Sequence, residues 1–335
     1  MVSKLDIKGL IIRIVGSTIL IYWILNKIEW SKVTAVAKEG SSFYFIAAFI
    51  AIQITVFASI LKWKMLVNSS LNQDQKRDAS LVKLGRFYYI GLFFNNFLPG
   101  SVGGDVVRVF YLGRITGIPI ATASVAFERI TSGAALVAIA IFSSIFLKSA
   151  RTYLWPILLV LAAILLCSYL ISIWIKRRKN ITNIQSSIPT TRISRWLMKL
   201  KSELEKIVAI AWNYRKENKK WLLYIGILSI LFQVGLAWIN DLLFLSLGID
   251  IPFLELLMII TLISVITMLP ISVNGLGVRE GCYVLFFKEL GVPVEIAVTV
   301  SLLFFILVSI SSLAGGVFWM LERGGKGEII RKSVD

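Results

Sequence analysis

Histidine is absent from the 335 residues, and cysteine occurs only as Cys167 and Cys282. A Cys/His metal centre or a histidine-based catalytic triad therefore has no material to be built from. Each cysteine lies in or beside an apolar run, so no structural disulfide is expected, and no metal or other cofactor is implied. Charge of either sign is sparse at 16% of residues, whereas the hydrophobic class reaches 57%. That share is above what a soluble domain carries. Several stretches near 20 residues are almost free of charge, long enough to cross the hydrocarbon core of a bilayer. A soluble fold is excluded, and the chain reads as an all-α polytopic membrane protein.

The charge that does occur is lopsided, 36 Lys plus Arg against 19 Asp plus Glu, for a net +17. Nucleic acid is not the partner this implies, because the basic residues fall in short segments between apolar runs, as the positive-inside pattern requires. Between 176 and 220 there are thirteen Lys or Arg and three Glu. This loop is expected on the cytoplasmic side. The segment from Lys62 to Arg86, with six basic residues and two Asp, is assigned to the same side. At the N-terminus, Lys4, Lys8 and Arg13 precede an apolar run to Leu25. The A-x-A triplet Ala35-Val36-Ala37 lies too far beyond that run for signal cleavage, so a retained first helix is expected.

Crossings are predicted at about 9–25, 41–62, 118–147, 152–175, 221–247 and 294–321. Six spans place both termini in the cytoplasm of a multi-pass cell-membrane protein. Two apolar stretches are broken too early to be simple crossings. Phe87 to Leu98 is only about a dozen residues long before Pro99-Gly100, and Phe253 to Leu269 stops at Pro270. Both are read as re-entrant hairpins.

The two breaks carry one motif. FLPGSVGGDVVR at 97–108 aligns without a gap on MLPISVNGLGVR at 268–279, with seven identities at a constant offset of 171. An echo follows each copy, Gly117-Ile118-Pro119-Ile120 and Gly291-Val292-Pro293-Val294. The unit is span, hairpin, span, covering about 41–147 and 221–321 within one transmembrane domain of residues 1–335. Loop charge makes the leading span of the first copy run inward and that of the second outward, so the repeat is inverted. Inverted repeats with broken helices are characteristic of transporters.

Backbone broken inside a membrane must be buried in protein or line a cavity. The prolines end their helices, while Gly103, Gly104, Gly275 and Gly277 are expected to permit the turns. Each following half-helix would aim its N-terminal N–H groups into the membrane interior, with Arg108 and Arg279 one turn along. That is a two-sided cradle for an anion. Glu128 and Arg129 lie about ten residues into their span, near mid-bilayer, where ionisable residues need partners. The expected pairs are Arg129 with Asp105, and Glu128 with Arg108 or Arg279. Glu280 is read as neutralising its neighbour Arg279. Asn95, Asn96 and Asn274, flanking the breaks, are read as binding freed backbone groups or the headgroup. Asn240-Asp241 is read as solvated near a span end.

Three strings, NNFLPGSVGGDVVR, ERITSG at 128–133 and LPISVNGLGVRE, resemble the transmembrane region of lysylphosphatidylglycerol synthases, the flippase-like domain of the multiple peptide resistance factor. The resemblance covers nearly the whole chain. It implies translocation of an anionic or aminoacylated phospholipid, or, as stand-alone members suggest, of a glycolipid or polyprenyl-linked lipid. Full-length relatives add a soluble aminoacyltransferase domain, whereas this chain ends 14 residues after Leu321. Lysyl transfer by this chain is therefore not expected. The alternatives are a membrane enzyme using Asp105, Glu128 or Glu280 as acid or base, and a partner subunit of a lipid-modifying synthase or glycosyltransferase. No G-x-x-x-x-G-K-[ST] phosphate loop is present.

Overall fold

The computed structural model describes residues 40–71, 73–96, 103–146, 219–268 and 275–332, with the single positions 38 and 210. Among them every regular element is helical. In chain order these are α1 (Ser42–Asn68), α2 (Gln73–Asp78), α3 (Leu81–Asn95), α4 (Gly103–Thr116), α5 (Ile118–Phe146), α6 (Lys219–Ser246), α7 (Phe253–Met268), α8 (Val278–Lys288) and α9 (Val294–Lys332).

Four helices are long and apolar enough to cross a membrane: α1, α5, α6 and the Ser-rich apolar part of α9 up to Glu322. At 1.5 Å per residue, 27 to 29 residues extend roughly 40 Å, beyond the ~30 Å of bilayer hydrocarbon. These correspond to the expected crossings at 41–62, 118–147, 221–247 and 294–321. The crossings at 9–25 and 152–175, nearly all of the basic loop, Cys167 and the two motif prolines lie outside the described residues. The limbs α3 and α7, at 15 and 16 residues, are each too short to cross alone.

Apolar side chains cover the outside of these helices. On α1, Phe43, Ile46, Ile50, Ile54 and Phe57 are exposed at three- and four-residue spacing, while Thr55, Ser59 and Lys62 are buried on the opposite face. A helix that is apolar outward and polar inward suits a surround of lipid and an interior of hydrogen-bonding partners.

The repeated Gly-x-Pro echo has a mechanical cause. Gly117 (φ 87°) and Gly291 (φ 76°) take the left-handed conformation that ends a helix, their N–H groups bonding Gly113 O and Lys288 O. Pro119 and Pro293 then stand at the start of the next span, where a missing N–H costs nothing. The same four residues thus stop a short helix and launch a long one in each half.

Taking α1, α3, α4 and α5 as one half and α6 to α9 as the other, the principal helix contacts map onto themselves when the halves are swapped. The pairing α3 with α9 is answered by α7 with α5, α1 with α3 by α6 with α7, and so on through the set, while α1 packs on α6. The leading helices run antiparallel: Ser41 N–H bonds Ser246 O, Thr55 lies against Gly235, and Lys62 reaches Ser229. Each closing helix leans on the first limb of the other half. For α9 this contact is so close that a Cβ on Gly315 would collide with the Tyr89 carbonyl. Gly315→Ala is expected to lower stability by about 1–3 kcal/mol, read from unfolding of the detergent-solubilised protein.

Candidate functional site

Side chains of both halves converge on a cavity of about 270 Å³. Its wall includes Lys62 and Ser59 of α1, Tyr88 of α3, Arg108 of α4, Glu128, Arg129 and Ser132 of α5, Gln233 and Asn240 of α6, Ser264 and Thr267 of α7, Arg279 and Tyr283 of α8, and Phe304 of α9. The arginines of the two motif copies, 171 positions apart, therefore face one interior.

Arg108 is the most constrained of these groups. It is 5% exposed, and its guanidinium lies 4.2 Å from the Trp63 ring centre and 4.3 Å from that of Tyr88. Two aromatic faces offset part of the desolvation of the cation. Its NH1 group donates to Asp105 Oδ1 at 3.3 Å and its NH2 group donates to Glu128 Oε2. The other carboxylate oxygen of Asp105 accepts from Arg129 Nε at 2.7 Å. Arg129, Asp105, Arg108 and Glu128 form one chain of alternating charge, with as many cations as anions. Adjacent positions on α5 point apart, so Glu128 and Arg129 reach different partners on α4. Arg129 with Asp105 is the pair expected from the sequence, and of the two arginines expected for Glu128 it is Arg108 that pairs with it.

Other assignments change. Glu280 does not serve as the counter-ion of Arg279: its Oε2 accepts the Gly277 N–H at 2.6 Å and its Oε1 accepts from Ser301 Oγ at 3.2 Å. A carboxylate three residues into a helix reaches back to the first free N–H, and here the turn brings Gly277 within range. The glycines divide by copy. Gly275 and Gly277, with φ 79° and 82°, make the turn expected of them. Gly103 and Gly104 instead begin α4 itself, and Gly104 serves close packing: a Cβ there would overlap the Gly91 carbonyl and the Asn95 side chain. Asn95 Oδ1 accepts the Gly104 N–H at 2.6 Å, while Asn96 Nδ2 donates to Ser312 Oγ at 2.7 Å. The freed backbone donor is thus met by Asn95, as expected of it, whereas Asn96 bonds a side chain of α9. Asn274 lies outside the described residues. Neither Gly104 nor Gly277 is among the residues that line the cavity, and their N–H groups are taken by Asn95 and Glu280.

Asn240 is 1% exposed, not solvated; its Oδ1 accepts from the Tyr283 hydroxyl, joining α6 to α8 beside the cavity. Lys62 is likewise buried at 1% exposure and is not part of a solvent-facing basic loop. Its Nζ donates to Ser132 Oγ at 2.7 Å and to Ser229 Oγ at 3.4 Å. The sequence carried a signal for this. Trp63, Met65, Leu66 and Val67 keep the segment apolar past the lysine, and Lys62 falls on the face of Thr55 and Ser59 at helical spacing.

The repeat is asymmetric in charge. At the motif offset Asp105 is matched by Leu276, and at the offset of the Gly-x-Pro echo Glu128 and Arg129 are matched by Leu302 and Leu303. The two carboxylates that pair with arginines, Asp105 and Glu128, both belong to the first half. No group of His, Cys, Asp or Glu able to hold a metal ion occurs among the described residues.

The profile described as lysylphosphatidylglycerol synthase TM region matches residues 10–316. Among curated proteins, a UPF0104 membrane protein of Methanothermobacter thermautotrophicus is 24% identical over 283 residues, covering 79% of each chain. One from Pyrococcus horikoshii is 25% identical over 293 residues, 82% of this chain and 87% of the relative. One from Methanocaldococcus jannaschii is 27% identical over 327 residues, 90% of each. No solved structure matches.

Proposed function

The chain belongs to the lysylphosphatidylglycerol synthase transmembrane region family, and from that premise we propose that it carries a lipid with an anionic headgroup across the cell membrane. The lipid is an anionic or aminoacylated phospholipid or a polyprenyl-linked lipid. One observation carries the reading: arginines from both copies of the motif line a single cavity. Four cationic side chains line that cavity against one carboxylate, so its interior favours an anion. The headgroup occupies the cavity while the acyl chains stay in lipid.

Alternating access follows from two inverted halves moving about this site. In this reading α3–α4 and α7–α8 are re-entrant pairs entering from opposite faces, six spans cross the membrane, and both termini are cytoplasmic. The antiparallel leading helices and the contact pattern that is preserved when the halves are swapped support it. Asp105 and Glu128 are engaged by arginines and Glu280 by a helix start, which favours transport over acid–base chemistry. A lipid-modifying synthase or glycosyltransferase is the partner that would supply or consume the cargo.

Reconstitution in liposomes with fluorescent phosphatidylglycerol tests the proposal. The wild-type protein is expected to expose inner-leaflet label to an external quencher, and Arg279→Gln to slow this about tenfold or more, the loss of one charge-assisted contact. Translocation no faster than in protein-free liposomes would sink it.

A further inference from the structure

Of the four cations on the cavity wall, Arg108 and Arg129 belong to the ion-paired chain, whereas Lys62 is held by hydroxyls. Its Nζ bonds Ser132 Oγ and Ser229 Oγ, and no carboxylate lies within ion-pair distance of it among the described residues. Three helices contribute to this arrangement, α1, α5 and α6, which span both halves. An ammonium carries three N–H donors, and two serines occupy two of them. Ser229 Oγ donates to Ile225 O at 2.8 Å, so it acts on Lys62 only as an acceptor. Ser132 accepts from Lys62 and keeps an O–H to give. A lysine donor and a serine donor thus stand side by side, 2.7 Å apart, on the wall of a cavity, where both can donate to one oxyanion.

We propose that Lys62 and Ser132 form the oxyanion subsite of the cavity, binding a phosphate group of the cargo, with Ser229 as the positioning residue that aims the ammonium. The inference rests on the reading of the cavity as a lipid-headgroup site. It divides the labour among the cations: Arg108 is fixed by carboxylates and aromatic rings and shapes the wall, while Lys62 contacts the ligand. Burial of a lysine held by hydroxyls is unfavourable in the empty protein, and an arriving anion relieves it. Cargo that enters with a phosphate is therefore retained, and a neutral headgroup of the same size is not.

The test uses the full chain in maltoside detergent, titrated by calorimetry with dihexanoyl-phosphatidylglycerol and, separately, with sodium phosphate at constant ionic strength. The wild type is expected to bind the lipid, Lys62→Met to weaken binding roughly ten- to hundredfold, and Ser132→Ala by about threefold to tenfold. Lys62→Arg recovers part of the loss. The melting temperature of Lys62→Met should match or exceed that of the wild type, since a buried charge is removed, whereas a purely structural lysine would lower it. If Lys62→Met does not fold, Ser132→Ala decides alone. Lipid binding equal in the wild type and both variants overturns the subsite and leaves the cavity reading intact. Phosphate binding that depends on Lys62, with no lipid binding, keeps the subsite and overturns the lipid as its source. A wild type that binds neither overturns both.

Discussion

Glutamine in place of Glu128 is expected to lower the stability of the folded protein by about 3 kcal/mol, the cost of stranding one member of a buried ion pair. Glu128 is 6% exposed, and Arg108 would retain only Asp105, which is already shared with Arg129. The four-membered chain would then hold two cations and one anion, with Arg108 the buried cation of the two. Replacing both members, Arg108→Met with Glu128→Leu, removes the imbalance and is expected to restore most of the loss. Unfolding in mixed detergent micelles reads both values, and the pair with the two single variants closes a double-mutant cycle. Translocation by the stable double variant would show the ion pair to be scaffold; loss of translocation would place it in the transport cycle.

Gly104→Ala is expected to cost about 3 kcal/mol or more, because the added Cβ meets backbone and has nowhere to go. The Gly91 carbonyl and the Asn95 amide lie inside van der Waals contact of that position, and Gly91 in turn admits the aliphatic stem of Arg108. Moving α4 away from α3 would shift Arg108 relative to Trp63 and Tyr88. Packing strain in such a core is not relieved by side-chain rotation alone. Gly281→Ala on α8 makes a suitable control, since nothing lies within 4 Å of its Cβ position. Thermal unfolding should separate the two variants clearly.

The pairing of Arg129 with Asp105, and of Glu128 with one of the two motif arginines, was legible because charge deep in an apolar span must be answered, and few partners exist. The spans and motif repeat were legible for a similar reason, since hydrophobic length and a constant offset are properties of the chain itself. What escaped were residues whose role depends on three-dimensional company. Lys62 looked like the edge of a basic loop because a lysine after an apolar run usually marks the interface. Only the helix continuing to Asn68, with serines of α5 and α6 opposite, makes it interior. Gly103 and Gly104 looked like turn residues by analogy with Gly275 and Gly277, yet the same letters serve packing in one half and a left-handed turn in the other. Glu280 was assigned to its sequence neighbour, whereas helix geometry sends a side chain back along its own turn.

The interlocking of the closing helices fixes an order of arrival during synthesis. Gln53 and Asn96 belong to the first half, but Nε2 of one and Nδ2 of the other donate to Ser311 and Ser312 of α9, which leaves the ribosome 216 or more residues later. Tyr89 donates to Gln53 at 2.7 Å and so depends on the same latch. Until α9 is threaded in, the first half holds a row of amides facing lipid or the insertion machinery. The first half is therefore closed from the second: α9 is the bolt of a door hung more than 200 residues earlier in the chain.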